Sequence, residues 1–184
     1  MLSIEGSTNM KKLLTLALAA MMVFNLAGCG SNEEAGTGNT DQSNSGAPTE
    51  ILTEGTVGEI LLSVFKNKSG EESQAIADEI TTNHVPFMGA TMEVEPGLLS
   101  GFDNYEVTGF EKGIMFGPAM GTIPFVGYIF ELADGADVEA FKTGLKDNAN
   151  LRWNICTEAE ELTVDHEGNK VFFLMSPKAF EDAE

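Results

Sequence analysis

Two nearly continuous apolar runs constrain the fold more than any other feature of this chain. The runs are Phe125–Leu132 and Val171–Met175, and each is long enough for one β-strand. A strand with one face in water alternates apolar and polar residues, whereas a strand with almost no polar positions must be covered on both faces. We therefore expect both runs to form strands, with Phe125–Leu132 at the centre of a sheet and covered on both faces.

Helical patterns precede these strands. The segment Thr56–Glu59 has the S/T-x-x-E form of a capping box, and the apolar spacing after it predicts a first helix over Val57–Asn67. Ser69–Glu72 has the same form, which predicts a cap for a second helix that ends near Asn83. The two helices should form a helical hairpin.

A third helix is predicted between the apolar runs. Asp134 and Asp137 place negative charge at its start, where they complement the helix dipole. Glu139 and Lys142 form an i,i+3 pair on its outer side, and Gly144 indicates close packing on the sheet. The expected buried stripe consists of Val138, Phe141 and Leu145.

Shorter strands complete the predicted fold. The corresponding segments are Ala90–Glu95, Tyr105–Phe110 and Gly113–Phe116. Leu162–Asp165 should pair with Val171–Met175 through a turn at His166–Asn169. Because this order shows no β-α-β alternation, it predicts an α+β domain of two layers, with a mostly antiparallel sheet and helices packed on one face.

The chain before this domain is polar. Residues 30–53 consist mainly of Gly, Ser, Asn, Thr, Asp and Glu, a composition that cannot bury enough apolar surface to fold. We expect residues 29–53 to form a flexible spacer that begins at Cys29. Residues 54–184 then form a single α+β domain of ordinary size.

A signal-like segment precedes the spacer. Lys11 and Lys12 lead into the apolar run Leu13–Phe24, which is too short to span a membrane. The segment Leu26–Cys29 follows, with the sequence LAGC. This arrangement resembles the lipobox of bacterial lipoproteins.

The resemblance implies processing and lipidation. Residues 1–28 would be a signal peptide that is removed, and Cys29 would carry acyl chains, palmitate among them, that hold the domain on the extracytoplasmic face of the cell membrane. Residues 1–9 contain Glu5 and no basic residue, so a start of translation at Met10 suits a signal peptide better.

A second resemblance concerns the domain. Its residues are Tyr128–Asp137, Asn148–Cys156 and Gly168–Met175. These segments together resemble uncharacterised lipoproteins of Gram-positive anaerobes. The resemblance implies the same location and brings no activity with it.

The charge of the chain excludes one class of function. There are 10 Lys and Arg residues against 29 Asp and Glu residues, a formal net charge of −19. Nucleic-acid binding depends on clustered Lys and Arg that displace counterions from phosphates, and the sequence has no such cluster. We expect no nucleic-acid partner.

Two segments match a signature of serine acyl-transfer enzymes. Ser63–Lys66 has the form S-x-x-K and Lys142–Gly144 reads K-T-G, as in penicillin-binding proteins and β-lactamases. Those enzymes need K-T-G on a strand beside the serine, whereas here it lies within a predicted helix. We interpret the match as a coincidence and expect Ser63 on the polar side of the first helix.

The other reactive side chains have structural interpretations. His84 and His166 fall in predicted turns without a partner at metal-ligand spacing. If Cys29 carries lipid, Cys156 is the only thiol, and its apolar neighbours predict a buried small hydrophobe. Acidic residues that match no calcium loop, and are assigned to solvated surface or helix dipoles, are Glu158, Glu160, Glu161, Asp134 and Asp137.

One loop suggests a binding cleft. Gly117–Thr122 lacks the Lys-Ser/Thr of a phosphate-binding loop and should connect two strands. Met120 and the nearby Pro124 are candidates for the rim of a cleft.

These observations identify no catalytic, cofactor-binding or metal-binding residue. We expect a binding or interaction module for a cell-envelope protein or a small solute. The alternatives are a cell-envelope hydrolase and a structural envelope spacer. A hydrolase should show a pocket with converging polar side chains, whereas an interaction module should show an exposed apolar surface.

Overall fold

The computed structural model describes residues 50–180. The lipobox, Cys29 and most of the predicted spacer lie outside the described residues. Within residues 50–180, no helix combines the length and the apolar composition needed to span a membrane.

Three helices and seven strands make up the described domain. In chain order they are α1 (Val57–Asn67), α2 (Ser73–Asn83), β1 (Gly89–Val94), β2 (Gly97–Leu98), β3 (Glu106–Val107), β4 (Lys112–Pro118), β5 (Val126–Glu131), α3 (Val138–Asn148), β6 (Glu161–Glu167) and β7 (Lys170–Ser176). A five-stranded sheet has the order β1-β4-β5-β7-β6, and all its neighbouring strands are antiparallel. The predicted α+β class is confirmed.

The two apolar runs form neighbouring strands inside this sheet. Side chains of β5 and β7 alternate between two buried clusters, as the period of a strand requires. Ile129 and Phe172 pack with α1 and α2 on one face, whereas Tyr128 and Phe173 pack on the other face. The prediction that the first run is covered on both faces is confirmed.

Helices α1 and α2 cover the first face. The capping box of α1 is present, since the Thr56 hydroxyl accepts from the Glu59 N–H and the Thr56 N–H donates to the Glu59 carboxylate. The cap predicted at Ser69 is wrong, because α2 begins at Ser73 after Glu72. The Lys170 ammonium binds the carbonyl oxygens of Ser69 and Glu71, which holds this segment outside the helix.

Helix α3 and irregular segments cover the second face, so helices lie on both faces of the sheet and not on one. The Asp137 carboxylate accepts from the Ala140 N–H at 2.9 Å and caps α3 as its charge predicted. Gly144 does not pack on the sheet as predicted. A Cβ there would lie 2.7 Å from the Tyr105 hydroxyl oxygen, so the close approach is to the segment before β3.

The β6–β7 hairpin turns later than the sequence predicts. Gly168 and Asn169 form the turn, with Gly168 at φ 60°, and His166 is still a strand residue paired with Val171. Two residues suffice for this turn, so the strand continues through His166 and Glu167, and the His166 ring contacts the Lys142 ammonium of α3.

Residues just before Glu54 also contact the domain. Ile51 packs against the first core cluster, and the Leu52 N–H donates to the Ser63 hydroxyl at 2.9 Å. Ser63 is therefore 5% exposed rather than on a solvated side, and its own hydroxyl donates to the Ile60 carbonyl at 2.7 Å.

Candidate functional site

A cleft of about 720 Å³ lies at one end of the main sheet. In the antiparallel order, the start of β1 lies beside the end of β4, and the end of β7 lies beside the starts of β5 and β6. The loops attached to these strand ends therefore gather at the same end of the sheet. They supply all the residues that line the cleft.

The cleft lining is mostly apolar. Its apolar residues are Pro86, Phe87, Ile123, Pro124, Pro177, Ala179 and Phe180. The Phe87 ring makes T-shaped contacts with the rings of Phe125 and Phe180, at centroid distances of 5.2 Å and 5.6 Å. These contacts anchor the wall of the cleft to the core below it, because Phe125 belongs to the first core cluster.

The polar lining residues make structural hydrogen bonds. The Thr157 hydroxyl donates to the Thr122 carbonyl at 2.9 Å, and the Glu160 carboxylate accepts from the Lys178 N–H at 2.9 Å. Lys178 also ties the cleft to α1, since its carbonyl accepts from the Val57 N–H. The cleft thus lies beside the point where the chain enters its first helix.

Exposed methionines flank the cleft. Pro124 lines it as predicted, and Met120 is 73% exposed in the same β4–β5 loop without being a lining residue. Met88 is also exposed and directly follows Phe87, and its carbonyl accepts from the Ala119 N–H at 2.8 Å. Methionine side chains adapt their shape to different apolar partners.

A cluster of charged side chains lies at the β6 edge of the sheet. Asp165 of β6 is 2.5 Å from the Lys66 ammonium of α1 and 3.6 Å from the Lys142 ammonium of α3. Lys142 is 8% exposed, so the prediction that it lies outside the buried side of α3 is wrong. Its predicted pair with Glu139 is present at 2.9 Å, and the His166 Nδ1 lies 3.0 Å from the same ammonium.

This cluster controls the ionisation of its carboxylates. Partial burial opposes a low pKa at Asp165, but the Lys66 hydrogen bond, the His166 N–H and the lysine charges outweigh it and lower that pKa. The hydrogen bond and charge of Lys142 lower the pKa of Glu139. Both groups remain carboxylates at neutral pH, which suits a structural ion-pair network.

The S-x-x-K and K-T-G matches do not assemble an acylation site. Lys66 and Lys142 do meet at one carboxylate, but Ser63 is bound to the Ile60 carbonyl and Thr143 and Gly144 lie inside α3. The interpretation of the match as a coincidence agrees with this geometry.

The remaining candidates are dispersed. His84 is the C-terminal cap of α2, with its Nε2 3.4 Å from Glu79. Cys156 is exposed, so the prediction of a buried thiol is wrong: the turn closed by the Thr157 N–H to the Asn154 carbonyl directs it outward beside Ile155, which is 94% exposed. Among residues 50–180, no three His, Cys, Asp or Glu side chains are placed to hold a metal ion.

A polar depression near α3 is a weaker candidate. It measures about 700 Å³ and includes Asp103, Asn150, Arg152 and Glu158. These side chains pair with each other, since Asn150 donates to Asp103 at 2.6 Å and Arg152 lies 3.5 Å from Glu158. The polar groups of this depression thus satisfy each other, whereas the cleft exposes mostly apolar side chains, so the cleft is the better binding site.

Comparisons of the chain with protein families, curated proteins and solved structures found no match.

Sequence reasoning identified one wall of the cleft and missed the others. The signal it used was Pro124 beside a glycine-rich loop. Pro86 and Pro177 carry the same kind of signal, because a proline just outside a strand marks a connection at the sheet end. Only the strand order shows that these connections meet.

Replacement of Asp165 by Asn should lower the free energy of unfolding at pH 7 by about 1–2 kcal/mol, because Lys66 and Lys142 would lose their shared carboxylate. The lowered pKa of Asp165 means that its stabilisation is present above the unfolded-state pKa of about 3.9 and disappears as the pH falls through the folded-state value. Urea unfolding at pH 7 and at acid pH measures this difference.

The matched control is Asp134→Asn, at an exposed carboxylate before α3, which should change stability by less than about 0.5 kcal/mol. An Asp165→Asn effect that persists unchanged into acid would contradict the assigned ion pairs.

Proposed function

We propose that the chain is a lipid-anchored domain on the extracytoplasmic face of the cell membrane, and that it binds a cell-envelope partner or a small solute through the apolar cleft. The observation that carries this proposal is the cleft itself. Its volume of about 720 Å³ lies within the range of known ligand pockets, roughly 300–1,000 Å³. Its lining of proline, isoleucine and phenylalanine supports apolar contact.

The charge around the cleft limits the kinds of ligand that it can bind. Glu158 and Glu160 line it together with Lys178, within a chain whose net charge is −19. Such a surface repels anions at a distance and favours neutral or cationic partners. We infer that the ligand has an apolar part for the cleft and carries no strong negative charge.

The geometry favours binding over the hydrolase alternative. Ser63, His84, Cys156 and His166 do not line the cleft. The hydroxyl of Thr157 and the carboxylate of Glu160 hold backbone groups of the cleft walls. A structural spacer would have no use for a cleft flanked by exposed methionines, so we rank that alternative last.

Replacement of Cys29 by Ala should abolish membrane attachment or processing, because it removes the acceptor of the proposed lipid. Fractionation of cells followed by immunoblotting measures this, and Ser31→Ala serves as the control that should behave as wild type. A processed, membrane-bound Cys29→Ala protein would refute the lipid anchor.

A photo-crosslinking residue placed at Met120 should form an adduct with an envelope component in intact cells. The same residue at Leu98, a similarly exposed apolar side chain, should form much less. Addition of Ala179→Trp should block the Met120 adduct, because an indole at this exposed lining position fills the cleft.

The control for the blocking variant is Ala133→Trp, at an exposed alanine between β5 and α3, which should leave the adduct unchanged. Adducts of equal yield from Met120 and Leu98, or a Met120 adduct that survives Ala179→Trp, would mean that the cleft is not the binding site.

A further inference from the structure

The two edge strands of the main sheet, β6 and β1, differ in how their outer sides are covered. At the β6 edge, the His166 N–H donates to the Asp165 carboxylate at 2.9 Å, and Lys66 and Lys142 approach the same carboxylate from α1 and α3. Every residue of β6 except Glu167 is at least partly buried. Side chains from both layers therefore close this edge to a further strand.

The β1 edge has no such cover within residues 50–180. No described strand pairs with the outer side of β1, and Met92 is 54% exposed. The bond from the Ala119 N–H to the Met88 carbonyl shows which residue pairs of β1 and β4 are hydrogen-bonded, because hydrogen-bonded and non-hydrogen-bonded pairs alternate along antiparallel strands. The backbone N–H and C=O groups of the even-numbered residues of β1 therefore point towards β4.

The backbone groups of β1 that point away from the sheet belong to Gly89, Thr91 and Glu93. The position of Pro118 is consistent with this pattern. Proline has no N–H, and Pro118 lies opposite Gly89 in a pair that is not hydrogen-bonded, so no donor towards β1 is required there. The outer edge of β1 therefore offers three residues of donors and acceptors to an extended chain.

The two faces of β1 differ in chemistry. The Thr91 hydroxyl donates to the exposed Asp78 carboxylate of α2 at 2.7 Å, and Glu93 lies on this same face by alternation. Met92 lies on the opposite face, across from Met115, which is partly buried and packs against the second core cluster. One face beside the edge is thus acidic and the other is apolar.

An added strand places its side chains beside those of its neighbour on each face. We propose that the open edge of β1 binds an extended segment of a partner protein in which basic residues alternate with apolar residues. The basic residues lie beside Asp78 and Glu93, and the apolar residues lie beside Met92. A second copy of this chain would set the same acidic face against itself, which a net charge of −19 disfavours.

The probe for this proposal is a fluorescent peptide of alternating lysine and valine, titrated into the full chain in detergent. It should bind more tightly than a peptide of the same composition with lysines and valines in separate blocks. Glu93→Lys should weaken binding about tenfold and should create binding of an alternating glutamate–valine peptide.

The matched control is Glu167→Lys, which makes the same charge change at the closed edge and should alter affinity less than about twofold. Two further peptides carry N-methyl groups on alternate backbone nitrogens, in the two possible phases. Pairing with β1 uses one phase only, so one methylated peptide should lose binding and the other should keep it.

Equal binding of the alternating and block peptides would overturn the proposal, since it indicates attraction between opposite charges without strand pairing. Equal loss from Glu93→Lys and Glu167→Lys, or equal binding of both methylated peptides, would overturn it too. The test is independent of the cleft, because Ala179→Trp should leave binding of this peptide unchanged.

Discussion

The burial of β5 and β7 on both faces is the constraint on which the rest of the structure depends. Phe172 and Leu174 need one apolar cover and Phe173 and Met175 need another, so neither strand can lie at a water-exposed surface. The helical hairpin supplies the first cover. Helix α3 and the segments around β2 and β3 supply the second, and strands with fewer apolar positions take the edges.

The two edge strands of the sheet are covered differently as a result of this arrangement. At β6 the two covering layers meet, and Asp165 joins Lys66 of one layer to Lys142 of the other. Among residues 50–180, α2 packs on one face of β1 and no strand pairs with its outer backbone. Open edges invite association, so an uncovered strand in an otherwise well-covered sheet suggests a role in binding.

Sequence patterns correctly predicted the structural features that depend on residues close together in the chain. The bounds of α1 follow from the capping box at Thr56, and the strand in Phe125–Leu132 follows from an unbroken apolar run. Longer-range contacts produced the errors. The Leu52 N–H donates to the Ser63 hydroxyl from eleven residues away, and the buried Lys142 ammonium contacts His166 of β6.

The cleft could be predicted only in part for the same reason. Its walls come from separate loops between Pro86 and Phe180, which strand order brings together, and no local pattern encodes that order. Pro124 could be identified because proline and glycine mark connections. The partners of Pro124 across the cleft could not.

Amide hydrogen exchange in the free domain tests the difference between the two edges most directly. The outward N–H of Thr91 has no strand partner among residues 50–180, whereas the N–H of His166 donates to Asp165. The account predicts that the Thr91 amide exchanges much faster than the His166 amide under native conditions. A Thr91 amide as protected as that of His166 would show that the β1 edge is covered, and would contradict the account.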